Sequence, residues 1–167
     1  MTTENRWLLP EGIEELLPER ASQLEALRRR LLDQCGTWGY RYVIPPLVEF
    51  TDSLLIGLGA DLDVVTCKFT DQMSGRMLGV RADITPQAAR MDAHSLAENG
   101  VTRLCYAGST LQSTPQSVIG GRAPIQLGAE LFGCDAIEAD SEIISLMLST
   151  FACAGVSRAL TLDIGHI

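Results

Sequence analysis

Two strand-like runs on either side of a polar loop constrain the fold of this chain most strongly. The runs are VTRLCYAG (101–108) and IQLGAELFG (125–133), both rich in apolar residues. The loop begins STLQSTPQ, which has six polar side chains and no charge among them. We therefore predict strand, loop and strand, with the runs pairing in an antiparallel sheet.

The segments before these strands predict helices and edge strands. In 18–39, apolar residues recur at intervals of three and four, which is typical of an amphipathic helix, and Gly36 and Gly39 mark its end. YRYVIPPLVEF (40–50) is predicted to be extended and to lie at a sheet edge or an interface, because Pro45 and Pro46 cannot donate to a central ladder. The runs 64–70 and 76–81 predict a hairpin around a turn at 71–75.

The remaining segments complete an α+β pattern. Thr85 is a plausible N-cap of a helix that ends before Gly100, and a long helix is closed by Gly155. GLGADLD (57–63) is interpreted as a connecting loop, because it lacks the lysine and the setting of a phosphate loop. ALTLDIGHI (159–167) is predicted to be a strand, and its abrupt end suggests the N-terminal part of a longer protein. The order predicts an antiparallel sheet flanked by helices.

Composition argues against nucleic-acid-binding, membrane-spanning and metal-binding classes of protein. The net charge of −8 argues against a large nucleic-acid surface, and MTTENRWLLPEG is not a targeting segment. The five cysteines form no CxxC pair or zinc-ligand spacing, which predicts reduced thiols in the cytoplasm and no metal site. No apolar stretch reaches the ~18 residues of a membrane span. We expect a cytoplasmic protein that binds neither membrane nor nucleic acid and uses no cofactor. His94 is interpreted as solvated, and His166 is left unassigned.

Three stretches resemble the class II aminoacyl-tRNA synthetase fold, and within it the histidyl branch. They are GYRYVIPPLVEFTDSLL (39–55), LGVRADITPQAARMDA (78–93) and RLCYAGSTLQSTPQ…GRAPIQLGAELFG (103–133). The resemblance implies that 1–167 is one class II synthetase-like domain, truncated at its C-terminus. It also implies a homodimer with Pro46 at the interface.

The polar loop departs from the pattern of a working synthetase. In that family an arginine follows the first strand, with a glutamate two residues later, and the arginine holds the ATP α-phosphate as the adenylate forms. The resemblance places Gln112 at the arginine position and Thr114 at the glutamate position, and Arg122 is the loop's only cation. Glutamine offers only weak, neutral donors to the charge that develops on a phosphoryl group, and threonine cannot accept an amine as a carboxylate does. We expect a degenerate nucleotide site and no enzymatic activity of the chain's own.

The amino-acid pocket keeps its polar side chains. The resemblance implies histidine-binding roles for Asp83, Thr85, Gln126 and Glu130, with both acids holding an α-ammonium. Gln126 and Glu130 are four apart on a strand and share one face. The pattern alone favours a strand-surface acid and a structural ion-pair partner for Asp83 and Glu130, and the resemblance favours ligand binding instead. Arg81 is expected to pair with one of these acids.

A chain that keeps the polar side chains of the amino-acid pocket but lacks the catalytic arginine resembles a regulatory relative of the synthetases. GRAPIQLGAEL and RADITPQAAR are similar to the regulatory subunits of ATP phosphoribosyltransferase. That resemblance implies a non-catalytic role in the first step of histidine biosynthesis and its feedback control by histidine. It implies a hetero-octamer with the short-form catalytic subunit. The alternatives are a fragment of a histidyl-tRNA synthetase, which would be an enzyme, and a general amino-acid-binding module with another partner.

Overall fold

The computed structural model describes residues 7–56, 60–115, 121–156, 160–163 and 165. Its helices and strands follow in the order α1 (Pro18–Thr37), β1 (Arg41–Tyr42), β2 (Val48–Phe50), α2 (Thr51–Leu54), α3 (Ala60–Val65), β3 (Cys67–Thr70), β4 (Met77–Val80), α4 (Thr85–Arg90), a π-helical turn (Met91–Leu96), β5 (Thr102–Ser109), β6 (Ile125–Phe132) and α5 (Ile137–Cys153). Within those residues, no helix combines the length and apolar character needed to cross a membrane.

The strands form two three-stranded sheets, and all but one of their pairings are antiparallel. The first sheet has the order β1-β5-β6, and β5 and β6 pair along their whole length from Thr102 opposite Phe132 to Ser109 opposite Ile125. The second has the order β2-β4-β3. The α+β class is confirmed, with one correction: β1 runs parallel to β5. The two strands are joined by a long crossover through the second sheet and α4, and a crossover, unlike a hairpin, allows parallel pairing.

Helices cover both faces of the β5–β6 pair and form two apolar clusters. On one face, α1 and α5 pack against β5 around Leu32, Cys35, Cys105 and Leu146. On the other face, the start of α4 packs against β5 through Ile84 and Ala88 around Tyr106, with Val43 and Phe132 at the margin. The second cluster holds the start of α4 over β5 and β6, so that Asp83 and Thr85 lie beside the strand that carries Gln126 and Glu130.

The predicted hairpin and edge strands are confirmed, except that Val64 and Val65 of the first predicted run belong to helix α3. β3 and β4 pair antiparallel, and the Asp71 carboxylate accepts hydrogen bonds from the backbone of Met73 and Ser74, 3.1 Å each, in the turn between them. β1 and β2 both lie at sheet edges, and Pro45 and Pro46 fall between them. The prolines therefore interrupt no ladder.

Both ends of the predicted 85–100 helix differ from the structure. Thr85 is the first helical residue rather than the N-cap. Ile84 holds the N-cap position, and the Asp83 carboxylate accepts the Thr85 N–H at 2.9 Å, which turns the chain into the helix one residue earlier than predicted. The helix changes to π geometry at Met91 and stops at Leu96. Ala97 has a φ of 46° and ends the helix in the left-handed region, before Gly100 is reached.

Two further predictions need correction where the structure describes them. Residues 60–63 of the stretch interpreted as a connecting loop belong to helix α3, whereas 57–59 lie outside the described residues. The predicted terminal strand is absent at residues 160–163 and 165, which form neither helix nor strand. The other positions of that stretch, including His166, lie outside the described residues.

Candidate amino-acid site

Gln126 on β6 holds the loop that enters α4. Its amide nitrogen Nε2 donates to Asp83 Oδ1 at 2.7 Å, and its Oε1 accepts the backbone N–H of Ile84 at 2.9 Å. Because Asp83 Oδ1 also accepts the Thr85 N–H, one carboxylate oxygen joins the strand to the first turn of the helix. The loop and β6 are therefore locked together by side-chain atoms of two predicted pocket residues.

Tyr106 links the other two predicted residues. Its hydroxyl donates to Glu130 Oε1 at 3.0 Å and lies 2.8 Å from Thr85 Oγ1. A phenol has a single proton to donate. Because Tyr106 donates it to Glu130, the Thr85 hydroxyl must be the donor in its hydrogen bond to the tyrosine oxygen. Burial raises the pKa of Tyr106, the hydrogen bond with Thr85 lowers it and the charge of Glu130 raises it; the net shift is upward, so the phenol stays protonated.

Glycines on the paired strands make room for this arrangement. Residues directly opposite each other in an antiparallel pair share a face, and Tyr106 lies opposite Gly128. A Cβ at Gly128 would stand 2.7 Å from Cε2 of the Tyr106 ring. A Cβ at Gly108 would stand 3.3 Å from the guanidinium carbon of Arg81. Both positions need glycine so that a long side chain can lie flat across the sheet.

The four residues predicted to bind histidine thus fall into one hydrogen-bonded group: Asp83, Thr85, Gln126 and Glu130. Sequence reasoning missed the fifth member, Tyr106, which is 2% exposed. A buried tyrosine needs a partner for its hydroxyl, and the glycine in QLGAE was the signal that a large side chain crosses there. What the group binds stays a prediction.

Arg81 does not pair with an acid, and that prediction was wrong. Its Nε donates to the carbonyl of Ser109 at 2.8 Å and its Nη1 to the carbonyl of Pro45 at 2.7 Å. Burial lowers the pKa of the guanidinium from its ordinary value. Backbone carbonyls near the sheet end satisfy the arginine in place of a carboxylate, because these carbonyls lie closer to it than the pocket acids do.

Two of the residues predicted to mark a degenerate nucleotide site, Gln112 and Arg122, are linked through main-chain carbonyls. Arg122 Nε donates to the carbonyl of Gln112 at 2.9 Å, and Gln112 donates its own N–H to the carbonyl of Arg122 at 2.8 Å. The Arg122 N–H reaches the carbonyl of Gly12 at 2.6 Å. Thr114 is exposed, and residues 116–120 of the loop lie outside the described residues. Arg122 therefore ties the loop to the N-terminal segment.

The segment predicted to lie at a dimer interface exposes apolar side chains. Pro46 is exposed, and its neighbours Ile44 and Leu47 are 76% and 50% exposed. Among the residues that the structure describes, no cluster of three or more His, Cys, Asp or Glu side chains is arranged to hold a metal ion.

The chain is similar to two curated relatives named ATP phosphoribosyltransferase regulatory subunit. The relative from Teredinibacter turnerae is 58% identical over 167 residues, and the one from Marinobacter nauticus is 55% identical over the same length. In both cases the match covers 100% of this chain and 42% of the relative. The chain therefore spans well under half the length of these relatives.

Solved structures and a family comparison agree on the fold. A Bacillus halodurans protein described as an ATP phosphoribosyltransferase regulatory subunit/histidyl-tRNA synthetase superposes with a TM-score of 0.80 at 28% identity, covering 93% of this chain and 40% of that one. An apo histidyl-tRNA synthetase from S. aureus has a TM-score of 0.73 at 20% identity, covering 90% and 35%, and supports the fold alone. The family model described as Histidyl-tRNA synthetase matches residues 12–167. The chain thus belongs to the histidyl-tRNA synthetase family, with the helices and sheets of its class II catalytic domain.

Proposed function

We propose that the protein carrying this chain is the non-catalytic regulatory subunit of ATP phosphoribosyltransferase. It supports the first step of histidine biosynthesis and binds histidine as the feedback ligand. The observation that carries this proposal is the 54–58% identity, over the whole chain, to relatives with that name. The proposed partners are the short-form catalytic subunit, in a hetero-octamer, and a second copy of the chain through the Pro46 segment.

The pocket supports an amino-acid ligand, which we propose is histidine, through its two acids. The contacts described above occupy Oδ1 of Asp83 and Oε1 of Glu130. The second oxygen of each carboxylate is then the one that would accept hydrogen bonds from an α-ammonium group. Charge-assisted bonds of this kind are about twice as strong as neutral ones. Because Gln126 and Tyr106 already fix both carboxylates, little side-chain freedom would be lost on binding.

The polar loop supports a role without adenylation. Gln112 carries no charge at the position where the family's arginine would stabilise the transferred phosphoryl group, an effect worth roughly 3 kcal/mol in a water-poor site. Arg122 does not replace that arginine, because its guanidinium already donates to the carbonyls of Gln112 and Glu11, at 2.9 and 3.4 Å. A side chain committed to backbone carbonyls would have to break both contacts to reach a phosphate.

Pyrophosphate exchange separates this function from that of a histidyl-tRNA synthetase. The full-length natural protein, incubated with histidine, ATP and labelled pyrophosphate, should form no labelled ATP above the level of a heated sample. A working histidyl-tRNA synthetase serves as the positive control. Exchange above background would establish adenylation and make the synthetase the correct function.

Capture of the partner tests the other half of the proposal. Tagged full-length protein should retain the purified short-form catalytic subunit on a column, and a column without the tagged protein should not retain it. Failure to retain the short form would favour an amino-acid-binding module with a different partner.

A further inference from the structure

Asn99 and Gly100 form an exposed bend between the π-helical turn and β5. The helical backbone stops at Leu96, Ala97 ends it with a φ of 46°, and β5 begins at Thr102. Asn99 and Gly100 are both exposed, and neither belongs to a helix or a strand. The pair is therefore a short surface connection whose polar groups are open to water.

The backbone nitrogen of Gly100 is accessible to the side chain of the residue before it. The φ of Gly100 is +100°, a conformation that glycine adopts readily. A Cβ at this position would meet no described atom within 4 Å, so the space beside Gly100 is open. Among the residues that the structure describes, no backbone carbonyl accepts the Gly100 N–H. Attack by this nitrogen on the Asn99 side chain therefore breaks no backbone hydrogen bond to a described residue.

We propose that Asn99 is a site of spontaneous deamidation through a cyclic imide, a modification that does not depend on the proposed function. The Gly100 nitrogen, after losing its proton to water or hydroxide, attacks Cγ of Asn99 and forms a C–N bond. The Cγ–Nδ2 bond breaks, and Nδ2 leaves as ammonia with a proton from water. Water then opens the five-membered ring at either carbonyl and gives aspartate or isoaspartate. Water is the only co-reactant, and nothing is oxidised or reduced.

The product has a second carboxylate next to Glu98. The Glu98 carboxylate accepts two hydrogen bonds from Arg41, at 2.9 and 2.7 Å, and so ties this connection to β1. Deamidation makes the net charge of the chain one unit more negative than −8. Isoaspartate also adds a methylene to the main chain between Glu98 and β5. The modification therefore changes both the charge and the backbone length of the connection that carries the Arg41–Glu98 ion pair.

The other asparagine of the chain is a matched internal control. The sequence has two asparagines, Asn5 and Asn99, and Asn5 is followed by Arg6. A side chain on the following residue crowds the attacking nitrogen, whereas glycine has no Cβ. Cleavage after arginine and lysine gives the peptides 1–6 and 91–103, so each asparagine is followed in a peptide of its own.

Peptide mapping of the full-length protein, kept folded in mildly alkaline buffer and sampled over days, measures the conversion. Aspartate and isoaspartate should accumulate at position 99 and separate from the asparagine form by chromatography and mass spectrometry. Asn5 should convert at least about tenfold more slowly, which corresponds to about 1.4 kcal/mol in the barrier. Equal conversion at Asn5 and Asn99 would overturn the role given to Gly100.

The variant Asn99→Gln and a synthetic 91–103 peptide complete the test. Glutamine keeps the amide but would have to close a six-membered ring, so the variant should lose the acidic form that maps to this peptide. The free peptide should convert in the same buffer. A folded wild-type protein in which Asn99 stays unconverted would overturn the proposal. Conversion of the free peptide alone would show that the fold holds the Gly100 nitrogen away from the Asn99 side chain.

Discussion

The Tyr106 hydroxyl links Thr85 to Glu130 in the predicted pocket, because it is hydrogen-bonded to both side chains. Replacing Tyr106 by Phe leaves the ring over Gly128 and removes only this link. We expect the free energy of unfolding to fall by about 0.5–1.5 kcal/mol, because the half-buried Thr85 and Glu130 side chains lose a hydrogen bond. Histidine affinity should fall about two- to tenfold, because Glu130 loses a neighbour that orients it. Urea unfolding and calorimetry measure the two effects.

Tyr40→Phe is the control for this change. Tyr40 is 4% exposed and donates to Glu142 at 3.0 Å, on the side of the sheet that faces α1 and α5. It should lose a similar amount of stability and leave histidine affinity unchanged. If both tyrosine variants weakened histidine binding equally, the effect of Tyr106 would be one of stability alone.

Substitutions at Glu130 and Gln112 test whether the amino-acid site is retained while the nucleotide site has lost its function. Glu130→Gln keeps the shape and removes the charge, and a charge-assisted hydrogen bond is worth roughly 1.5–3 kcal/mol. Histidine affinity measured by calorimetry should therefore fall about tenfold to a hundredfold. Gln112→Ala should change that affinity little. The reverse pattern would mean that the pocket lies on the other side of the loop.

The contact between α5 and the sheet predicts a stability loss in acid. Arg103 donates two hydrogen bonds to Glu142, at 2.7 and 2.8 Å, and these bonds lower the pKa of that carboxyl below its ordinary value of 4.5. A lowered folded pKa means that the contribution is fully present above pH 4.5 and is lost as the pH falls through the folded value.

Urea unfolding of wild type and Glu142→Gln across this pH range tests that sign. The stability difference between the two proteins should be constant near neutral pH and shrink below about pH 4.5. Arg103→Met should show the same shrinking difference, because it removes the other partner. A difference that stays constant into acid would show that Glu142 contributes through packing alone.

Elements that depend on neighbouring residues were predicted well, and those that depend on distant partners were not. The β3–β4 turn needs only the Asp71 side chain and the positive φ of Gly75, +72°, and both signals are local. The parallel β1–β5 pairing joins Arg41 to Leu104, and no local pattern indicates it. Helix α3 was missed because the glycines that precede Ala60 favour a loop.

The residues of the candidate site were likewise predicted where the sequence carried the signal and missed where their role depends on distant partners. The resemblance supplied Asp83, Thr85, Gln126 and Glu130, since family patterns carry spatial information that one sequence lacks. Tyr106 escaped because its role depends on the register that places it opposite Gly128. Arg81 was assigned to an acid because the carbonyls that satisfy it, 28 and 36 residues away, come near only in the folded chain.

For the molecule as a whole, the family fold and the network around Tyr106 support the proposal of a synthetase-like domain that senses an amino acid on behalf of another enzyme. The net charge of −8 is unfavourable for a large tRNA-binding surface, as that proposal expects. Under the proposal, the network around Tyr106 is the ligand site and the exposed segment around Pro46 is the contact with a second copy.

The most direct test is the activity of the short-form catalytic subunit, measured as the joining of ATP to phosphoribosyl pyrophosphate, with and without the full-length protein. We predict that the catalytic subunit alone is nearly inactive, that adding the full-length protein restores activity, and that histidine then inhibits it. Glu130→Gln should require about ten to a hundred times more histidine for the same inhibition. A catalytic subunit whose rate and histidine response are the same with and without the protein would contradict the account.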